Sequence, residues 1–162
     1  MKMTIDGDLY RKVLGRYPTG VTLVTGIDEA EPLAIVIGSF TSVSMQPPLV
    51  GFFIGAGSQT WQRIEKTGSF GVNVLSDEQA DLSNGFFQKE GDPWEGTEWE
   101  PMASGSPMIP SCLANMDCSI YEVSDAGDHF FVSGLVQEAI YNNVGSPLVF
   151  LGGNYGQFQG AS

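Results

Sequence analysis

The density of turn residues restricts the fold of this chain more than any other feature. The 162 residues include 21 glycines and 9 prolines. Between them lie short runs rich in Val, Ile, Phe and Thr, which favour β-strands. The runs predicted as strands are Gly20–Thr25, Leu33–Gly38, Phe40–Ser44, Leu49–Ile54, Phe70–Leu75, Cys112–Glu122, His129–Glu138 and Leu148–Gly152. Because most strands follow each other without crossover helices, we predict a mainly β, antiparallel barrel rather than a doubly wound sheet.

Three short helices are predicted beside the strands. The first is capped by Asp6 or Asp8 and carries one apolar face, formed by Leu9, Val13, Leu14 and Tyr17. The second, Ser58–Lys66, turns Trp61 and Ile64 inward. The third begins at the capping-box pair Ser76 and Gln79 and runs through Leu82 toward Phe86.

The connections between these elements indicate one domain over residues 1–162. Hairpin turns are predicted at Asp28–Pro32 and Gly127–Asp128, and Lys89–Pro110 is predicted to be a long acidic loop. No repeat, low-complexity tract or linker divides the chain.

Charge and cysteine content exclude several classes of function. The formal net charge is −12, and all seven basic residues lie at or before Lys89. Nucleic acids and anionic membranes are therefore improbable partners. No apolar run approaches the roughly 18 residues of a membrane span, and no signal-peptide pattern precedes Leu9. Cys112 and Cys118 fit no metal or redox spacing, so we expect buried reduced thiols, no metal site and a cytoplasmic location.

A hydroxyl-rich segment from Gly38 to Leu49 is the first candidate for binding chemistry. The segment is dense in hydroxyl groups, from Ser39, Thr41, Ser42 and Ser44, and Pro47-Pro48 stiffens its end. Such a strand can present hydrogen-bonding groups to the pyrimidine edge of a flavin ring. An ordinary edge strand rich in Ser and Thr has the same appearance.

The segment Gly55-Ala-Gly-Ser-Gln-Thr-Trp61 is the second candidate. Its glycines allow close backbone approach, and Ser58 and Thr60 stand at a helix start, where free N–H groups favour an anion such as phosphate. Arg63, one turn later, is placed to add positive charge. A plain helix cap explains the same residues, and the chain carries neither a Rossmann nor a P-loop glycine pattern.

The third candidate is His129, the only histidine, at the start of Gly127–Gly134. A histidine just after a turn can point into a cleft and hydrogen-bond a nicotinamide carboxamide. A hydrogen-bonded structural histidine is the competing interpretation. Asp128 beside it is interpreted as a turn residue.

Taken together, these segments resemble the short-chain flavin reductase family, the reductase components of two-component flavin-dependent monooxygenases. The resemblance runs from about Leu9 to Tyr155. The motifs that carry it are Gly15–Val21, Ser39–Ser44 with Pro47-Pro48-Leu49, Ser58-Gln-Thr60, Phe70–Leu75, Gly127–Gly134 and Gly153–Gly156.

This resemblance implies an FMN-binding split barrel with a Greek-key core and a homodimer with flavin near the interface. It implies an NAD(P)H:flavin oxidoreductase that takes electrons from NADH or NADPH, reduces FMN or FAD and serves a separate monooxygenase. The implied cofactor-binding residues are Ser39, Phe40, Thr41, Ser42, Ser44, Ser58, Thr60 and Trp61. His129 is implied to lie beside the nicotinamide. A dimer would also cover apolar runs such as Leu49–Ile54.

Two alternatives stay open on the same barrel. A non-enzymatic flavin-binding or storage protein is favoured by Val36 and Gly38, which stand where family members usually carry Thr and Asn or Ser. A pyridoxamine-phosphate-oxidase-like enzyme is disfavoured because few basic residues are available to grip a second phosphate. The sequence does not choose between FMN and FAD, or between a bound and a released flavin.

Overall fold

The computed structural model describes residues 5–88, 91–143 and 145–161. Its helices are α1 Gly7–Leu14, α2 Gln59–Thr67 and α3 Ala80–Gln88, with a 3-10 turn at Asp77–Gln79 before α3. The strands are β1 Thr19–Gly20, β2 Thr22–Asp28, β3 Glu31–Ile37, β4 Thr41–Met45, β5 Pro48–Gly55, β6 Ser69–Val74, β7 Glu100–Pro101, β8 Pro107–Met108, β9 Ala114–Ala126, β10 His129–Tyr141, β11 Leu148–Leu151 and β12 Asn154–Gln157.

Seven strands form one antiparallel sheet in the order β3-β2-β6-β9-β10-β5-β4. Strands β3 and β4 are consecutive in the chain but lie at opposite edges. Only three residues connect them, and these span roughly 14 Å at most, so the sheet must curl until its edges meet. Ser39 holds this seam: its hydroxyl accepts from Phe53 N (2.9 Å) and donates to Phe53 O (3.1 Å). The predicted antiparallel split-barrel architecture is confirmed.

The main core lies inside the curled sheet and is closed by α2. Phe52 packs edge-to-face against Trp61 and Phe70, with ring centroids 5.5 and 5.3 Å apart. Full burial of each such side chain contributes roughly 1.5–3 kcal/mol. Helix α2 packs directly on β2 at Gly26. Ile64 comes so close there that a Cβ on Gly26 would stand 2.8 Å from it, so only glycine fits without a shift.

A second core cluster lies under the segment from Gly91 to Leu113, which we call the strap. The sequence predicts an acidic loop there, and the structure adds the small β7–β8 hairpin. Trp94 and Trp99 pack on this cluster beside Phe86. The buried Asn73 fastens the strap from below: its Nδ2 donates to Pro107 O (3.2 Å).

Asn73, on β6, also forms hydrogen bonds with a second residue of the strap and with both neighbouring strands, β2 and β9. Its Oδ1 accepts from Ile109 N and from Asn115 Nδ2, both at 2.8 Å, while Nδ2 also donates to Leu23 O at 3.2 Å. A fully buried amide that satisfies several backbone groups fixes the position of the segment above it.

Most local predictions agree with the structure, and the differences have physical reasons. The Gly127–Asp128 turn and the bond from Ser76 N to Gln79 Oε1 (2.8 Å) are confirmed. The β2–β3 turn is tighter than predicted and consists of Glu29 and Ala30, both with positive φ. β9 and β10 extend to Ala126 and Tyr141, because bulges let both strands bend without breaking. β12 was not predicted.

Apolar surface is distributed differently from the expectation. The run Leu49–Ile54 is mostly hidden, and only Phe53 within it is exposed, at 43%. Helix α1, capped by Asp6, buries none of its residues. Its apolar side chains are all more than half exposed: Leu9, Tyr10, Val13 and Leu14, followed by Tyr17. Helix α1 therefore exposes far more apolar surface than β5 does.

The two cysteines are free and buried, as predicted, and burial raises the pKa of each thiol to about 12. The described residues contain no group of three or more His, Cys, Asp or Glu placed to hold a metal ion. No helix in the described ranges is long and apolar enough to cross a membrane.

Candidate functional site

A groove of three adjoining cavities runs along the outer side of β3. The large chamber, of about 510 Å³, lies at the Gly38 end. The outer chamber, of about 350 Å³, lies at the Glu31 end, beneath Asp92 and Trp94 of the strap. A narrower waist of about 180 Å³ joins them and contains Ser58.

The alternation of side chains along β3 produces this groove. Leu33 and Ile37 are buried against the main core, whereas Ala34 and Val36 face the other side, toward α3. Phe86 and Phe87 of α3 form the opposite wall. Val36 and Phe87 line both the waist and the large chamber, while Ala34 and Phe86 line both the waist and the outer chamber.

The large chamber combines apolar walls with neutral polar groups. Val21, Val36, Phe87 and Phe150 are the apolar side chains. The polar or backbone-exposing residues are Thr19, Gly20, Gly38, Asn84, Gln88, Gly153, Asn154 and Tyr155. No charged side chain is among the described residues that line it. Such a lining suits a flat, neutral heterocycle with hydrogen-bonding edges.

Two contacts fix the shape of this chamber. Tyr155 OH and Ser83 Oγ lie 2.7 Å apart, which ties β12 to α3. A Cβ on Gly38 would stand 3.2 Å from Thr19 Oγ1, so glycine allows β1 and the end of β3 to approach closely here. Both contacts join segments that are distant in sequence.

The start of α2 faces the waist and the outer chamber. Ser58 Oγ caps the helix by accepting from Trp61 N (3.2 Å). The amides of Gln59 and Thr60 are those that a helix start leaves without an intrahelical partner. Together with the Ser58 and Thr60 hydroxyls, they are the donors available to an anion at the centre of the groove.

Arg63 does not add its charge to this helix start, which corrects the expectation from the sequence. Its Nε donates to Asp28 Oδ2 and its Nη2 to Glu31 Oε2, both at 2.7 Å. The guanidinium lowers the pKa of the Glu31 carboxyl below its usual value. Arg63 therefore braces the β2–β3 turn.

His129 lies at the same end of the sheet as the Gly55–Ser58 loop. It pairs across strands with Gly55, and Ala56 N donates to Asp128 O at 3.1 Å. Its Nδ1 lies 2.7 Å from Asp128 Oδ1, and this contact lowers the pKa of the Asp128 carboxyl. The side chain of His129 is 49% exposed, and its Nε2 is the ring nitrogen not engaged with Asp128. His129 therefore lies beside the predicted phosphate loop, but it lines none of the three cavities.

Other predicted cofactor residues lie outside the groove. Trp61 is 1% exposed and belongs to the main core, where it supports α2 from within. The prediction that its side chain contacts the cofactor is therefore wrong. The hydroxyl of Ser39 is hydrogen-bonded to the backbone of Phe53 at the seam, and Phe40 packs on the main core. Thr41, Ser42 and Ser44 lie on the edge strand β4 and line none of the three cavities.

Sequence reasoning gave no role to several residues that line the large chamber. Thr19, Asn154 and Tyr155 lie inside motifs that carry the family resemblance, which was the only available signal. Asn84 and Phe87 lie on α3 and had no signal, because their proximity to β3 comes from tertiary packing.

Comparison with known proteins gives consistent results. Residues 14–159 match the family described as "Flavin reductase like domain". A flavin reductase of Pseudomonas putida is 42% identical over 159 residues, covering 98% of this chain and 94% of the relative. The reductase subunit HsaB of a flavin-dependent monooxygenase from Mycobacterium tuberculosis is 40% identical over 157 residues, covering 96% and 84%.

A solved structure has the same fold over nearly the whole chain. It is a homologue of nitrilotriacetate monooxygenase component B from Mycobacterium thermoresistibile, with a TM-score of 0.91 and 38% identity. The match covers 94% of this chain and 86% of the other. The chain belongs to the flavin reductase family.

Proposed function

We propose that this protein is an NAD(P)H:flavin oxidoreductase that reduces FMN or FAD and supplies the reduced flavin to a separate oxygenase. One observation carries the proposal: a chamber with polar edges, and with no charged side chain among its described lining residues, is joined through the waist to a helix start suited to phosphate. Similar proteins bear names that agree with it, including "FMN reductase (NADH) SmoA" of Agrobacterium fabrum and the NADH:FAD oxidoreductase SgcE6 of Streptomyces globisporus.

The residues of the groove fit a flavin. Val36 and Phe87 offer an apolar wall, while Thr19 and the backbone at Gly38 offer polar partners for a ring edge. Ser58 and Thr60 would bind the phosphate, and Ser39 would act by holding the seam beside Gly38. Contact of Thr41, Ser42 and Ser44 with the ring stays a prediction.

The chemistry of hydride acceptance is supplied by the flavin when it is bound. The chain contributes position: reaction requires the nicotinamide and the flavin ring to be held at near-attack distance. His129 would hold the carboxamide through Nε2 while Asp128 orients its ring through Nδ1. No protein side chain needs to exchange a proton for this step, which suits a large chamber whose described lining residues carry no charge.

Two measurements test the proposal. FMN titrated into the apoprotein should bind saturably, and NADH should then bleach the bound flavin in the absence of oxygen. Saturable binding without bleaching would favour the storage alternative, for which Val36 and Gly38 are the relevant residues. No binding up to about millimolar affinity, or ~4 kcal/mol, would refute both.

His129→Ala should slow NADH-dependent reduction and leave flavin binding nearly intact. One hydrogen bond to a neutral carboxamide contributes about 1 kcal/mol, so kcat/KM for NADH should fall roughly fivefold. His129→Gln retains a donor and should recover part of the loss. Equal rates for the parent and the alanine variant would contradict the prediction that His129 binds the nicotinamide.

NADH should be preferred over NADPH. The extra 2′-phosphate usually requires a nearby Arg or Lys, whereas the outer chamber presents Asp92 and Glu31, and Arg63 beside Glu31 is already paired with Glu31 and Asp28. Repulsion of like charges near a surface amounts to ~1 kcal/mol, a factor of about five in kcat/KM. Moderate salt should shrink the difference. An NADPH preference would indicate that Arg11, Lys12 or Arg16 reaches the site.

The protein should be a homodimer. Helix α1 exposes an entire apolar face, and edge strand β4 exposes Val43 and Met45, at 44% and 87%. Exposed apolar faces and free strand edges are typical of protein interfaces. Sedimentation at micromolar concentration should give twice the 17.4 kDa mass of one chain. A monomer would contradict this prediction, and Leu9→Lys with Val13→Lys should produce one if α1 forms the interface.

A further inference from the structure

We propose that the hydrogen bond between Tyr155 and Ser83 determines how long a flavin stays in the large chamber. Both are positioning residues: they act through the hairpin 148–157, formed by β11 and β12, and not by contact with the flavin ring. The inference rests on the proposed function, because a flavin in this chamber is part of it. The sequence leaves open whether flavin is retained or released, and this hydroxyl pair gives that choice a structural basis.

The large chamber lies between two parts of the structure. One wall belongs to the small sheet β1-β11-β12, and the opposite wall belongs to β3 and α3. The small sheet and its turn contribute the lining residues Thr19, Gly20, Phe150, Gly153, Asn154 and Tyr155. A movement of the small sheet away from α3 would therefore open the chamber and release what it holds.

The hairpin 148–157 is anchored mainly at its base. Leu148 is 2% exposed there, and its N donates to Leu75 O at 3.1 Å. Farther along β11, Phe150 and Leu151 are exposed, and the neighbouring strand β1 has only two residues. β12 is an edge strand. Segments with few buried contacts open locally at a low free energy, so the outer part of the hairpin depends on any further attachment.

The hydroxyl pair supplies that attachment. Among the described residues, no other side-chain hydrogen bond joins the small sheet to another element. Ser83 is fully buried on α3, while Tyr155 lines the chamber and packs on the second core cluster. The rings of Tyr155 and Phe150 lie 5.5 Å apart, so holding Tyr155 in place also holds the aromatic wall of the chamber.

Tyr155→Phe and Ser83→Ala test the pair, since each removes one hydroxyl and retains most of the packing. FMN should dissociate roughly fivefold faster from each variant, as expected for the loss of one neutral hydrogen bond. Stopped-flow fluorescence after rapid dilution of the complex measures this rate. The double variant should release FMN no faster than either single variant, because all three lack the same bond. KM for FMN should rise by a similar factor, while kcat at saturating FMN should not fall.

Hydrogen exchange of the apoprotein provides a readout that needs no flavin. Amides of residues 148–157 should exchange about fivefold faster in both single variants, whereas those of β9 and β10 should not change. Tyr141→Phe and Ser133→Ala are the matched controls: the first removes an exposed hydroxyl that donates to Asn143 Oδ1, and the second removes a buried hydroxyl on β10. Neither control should alter FMN dissociation or exchange in the hairpin.

The two single variants distinguish the pair from a direct contact with flavin. If Tyr155→Phe releases FMN faster and Ser83→Ala does not, the tyrosine hydroxyl contacts the flavin itself and the inference is overturned. Unchanged exchange of the hairpin in both variants would also overturn it. Faster exchange in both variants of a protein that binds no FMN would support the link between hairpin and helix and refute the proposed function.

Discussion

Asn73→Leu should lower the free energy of unfolding by more than about 3 kcal/mol. The substitution leaves Ile109 N without its side-chain partner and removes one hydrogen bond each from Pro107 O, Leu23 O and the Asn115 amide, although Pro107 O keeps Thr25 Oγ1 and Asn115 Nδ2 keeps Ile109 O. A buried polar group left without a partner costs roughly 1–3 kcal/mol, and each further lost hydrogen bond about 1 kcal/mol. For a domain of this size the melting temperature should fall by about 6–12 °C. Chemical and thermal denaturation measure both quantities.

The strap should respond more than the sheet does. Hydrogen exchange at Ile109 and the fluorescence of Trp99 report on its release, whereas amides of β9 and β10 report on the barrel. Asn143→Leu is the matched control, since Asn143 is exposed and its side chain accepts only from Tyr141 OH. A loss below about 1 kcal/mol for Asn73→Leu would show that solvent or rearrangement satisfies the abandoned groups.

Ser58→Ala combined with Thr60→Ala should weaken FMN binding at least a hundredfold. Two charge-assisted bonds to phosphate are at stake, each worth roughly 1.5–3 kcal/mol. Folding should lose only about 1 kcal/mol, because Ser58 also caps α2. Fluorescence titration of flavin and denaturation of the apoprotein separate the two effects.

Riboflavin provides the sharpest control for this pair of substitutions. It lacks the phosphate, so the parent and the double variant should bind it equally. Thr67→Ala, at the other end of the same helix, should leave FMN affinity unchanged, since its hydroxyl donates to Ile64 O within the helix. Equal weakening for riboflavin and FMN would mean that the hydroxyls support the ring or the fold and do not contact phosphate.

Sequence reasoning succeeded where the determining contacts are local. The Gly127–Asp128 turn depends on a glycine with positive φ, and the Ser76–Gln79 box spans three residues. The N-cap role of Ser58 is also local. Such features follow from the residues themselves and require no knowledge of what packs against them.

The site was less predictable because it is assembled from distant segments. Arg63 stands one turn from the phosphate loop, but carboxylates 35 and 32 residues earlier bind it. Trp61 follows the same loop but points into the core, because it packs there against Phe52 and Phe70. Thr41, Ser42 and Ser44 lie beyond the seam, on the opposite edge of the sheet, and they line none of the three cavities, which only the curvature of the folded barrel could decide.

The seam at Ser39 also has a consequence for the order in which the barrel assembles. Ser39 and Phe53 are 14 residues apart, so closing the edges of the sheet requires only a short loop. The middle of the sheet is different: Ser69 pairs with Ser119, about fifty residues later, across α3 and the strap. The entropy of closing that longer loop is less favourable by about 1 kcal/mol. Topologically, therefore, the seam is the local part of the barrel, whereas the pairings β2–β6, β6–β9 and β5–β10 within the sheet join strands that are far apart in the chain.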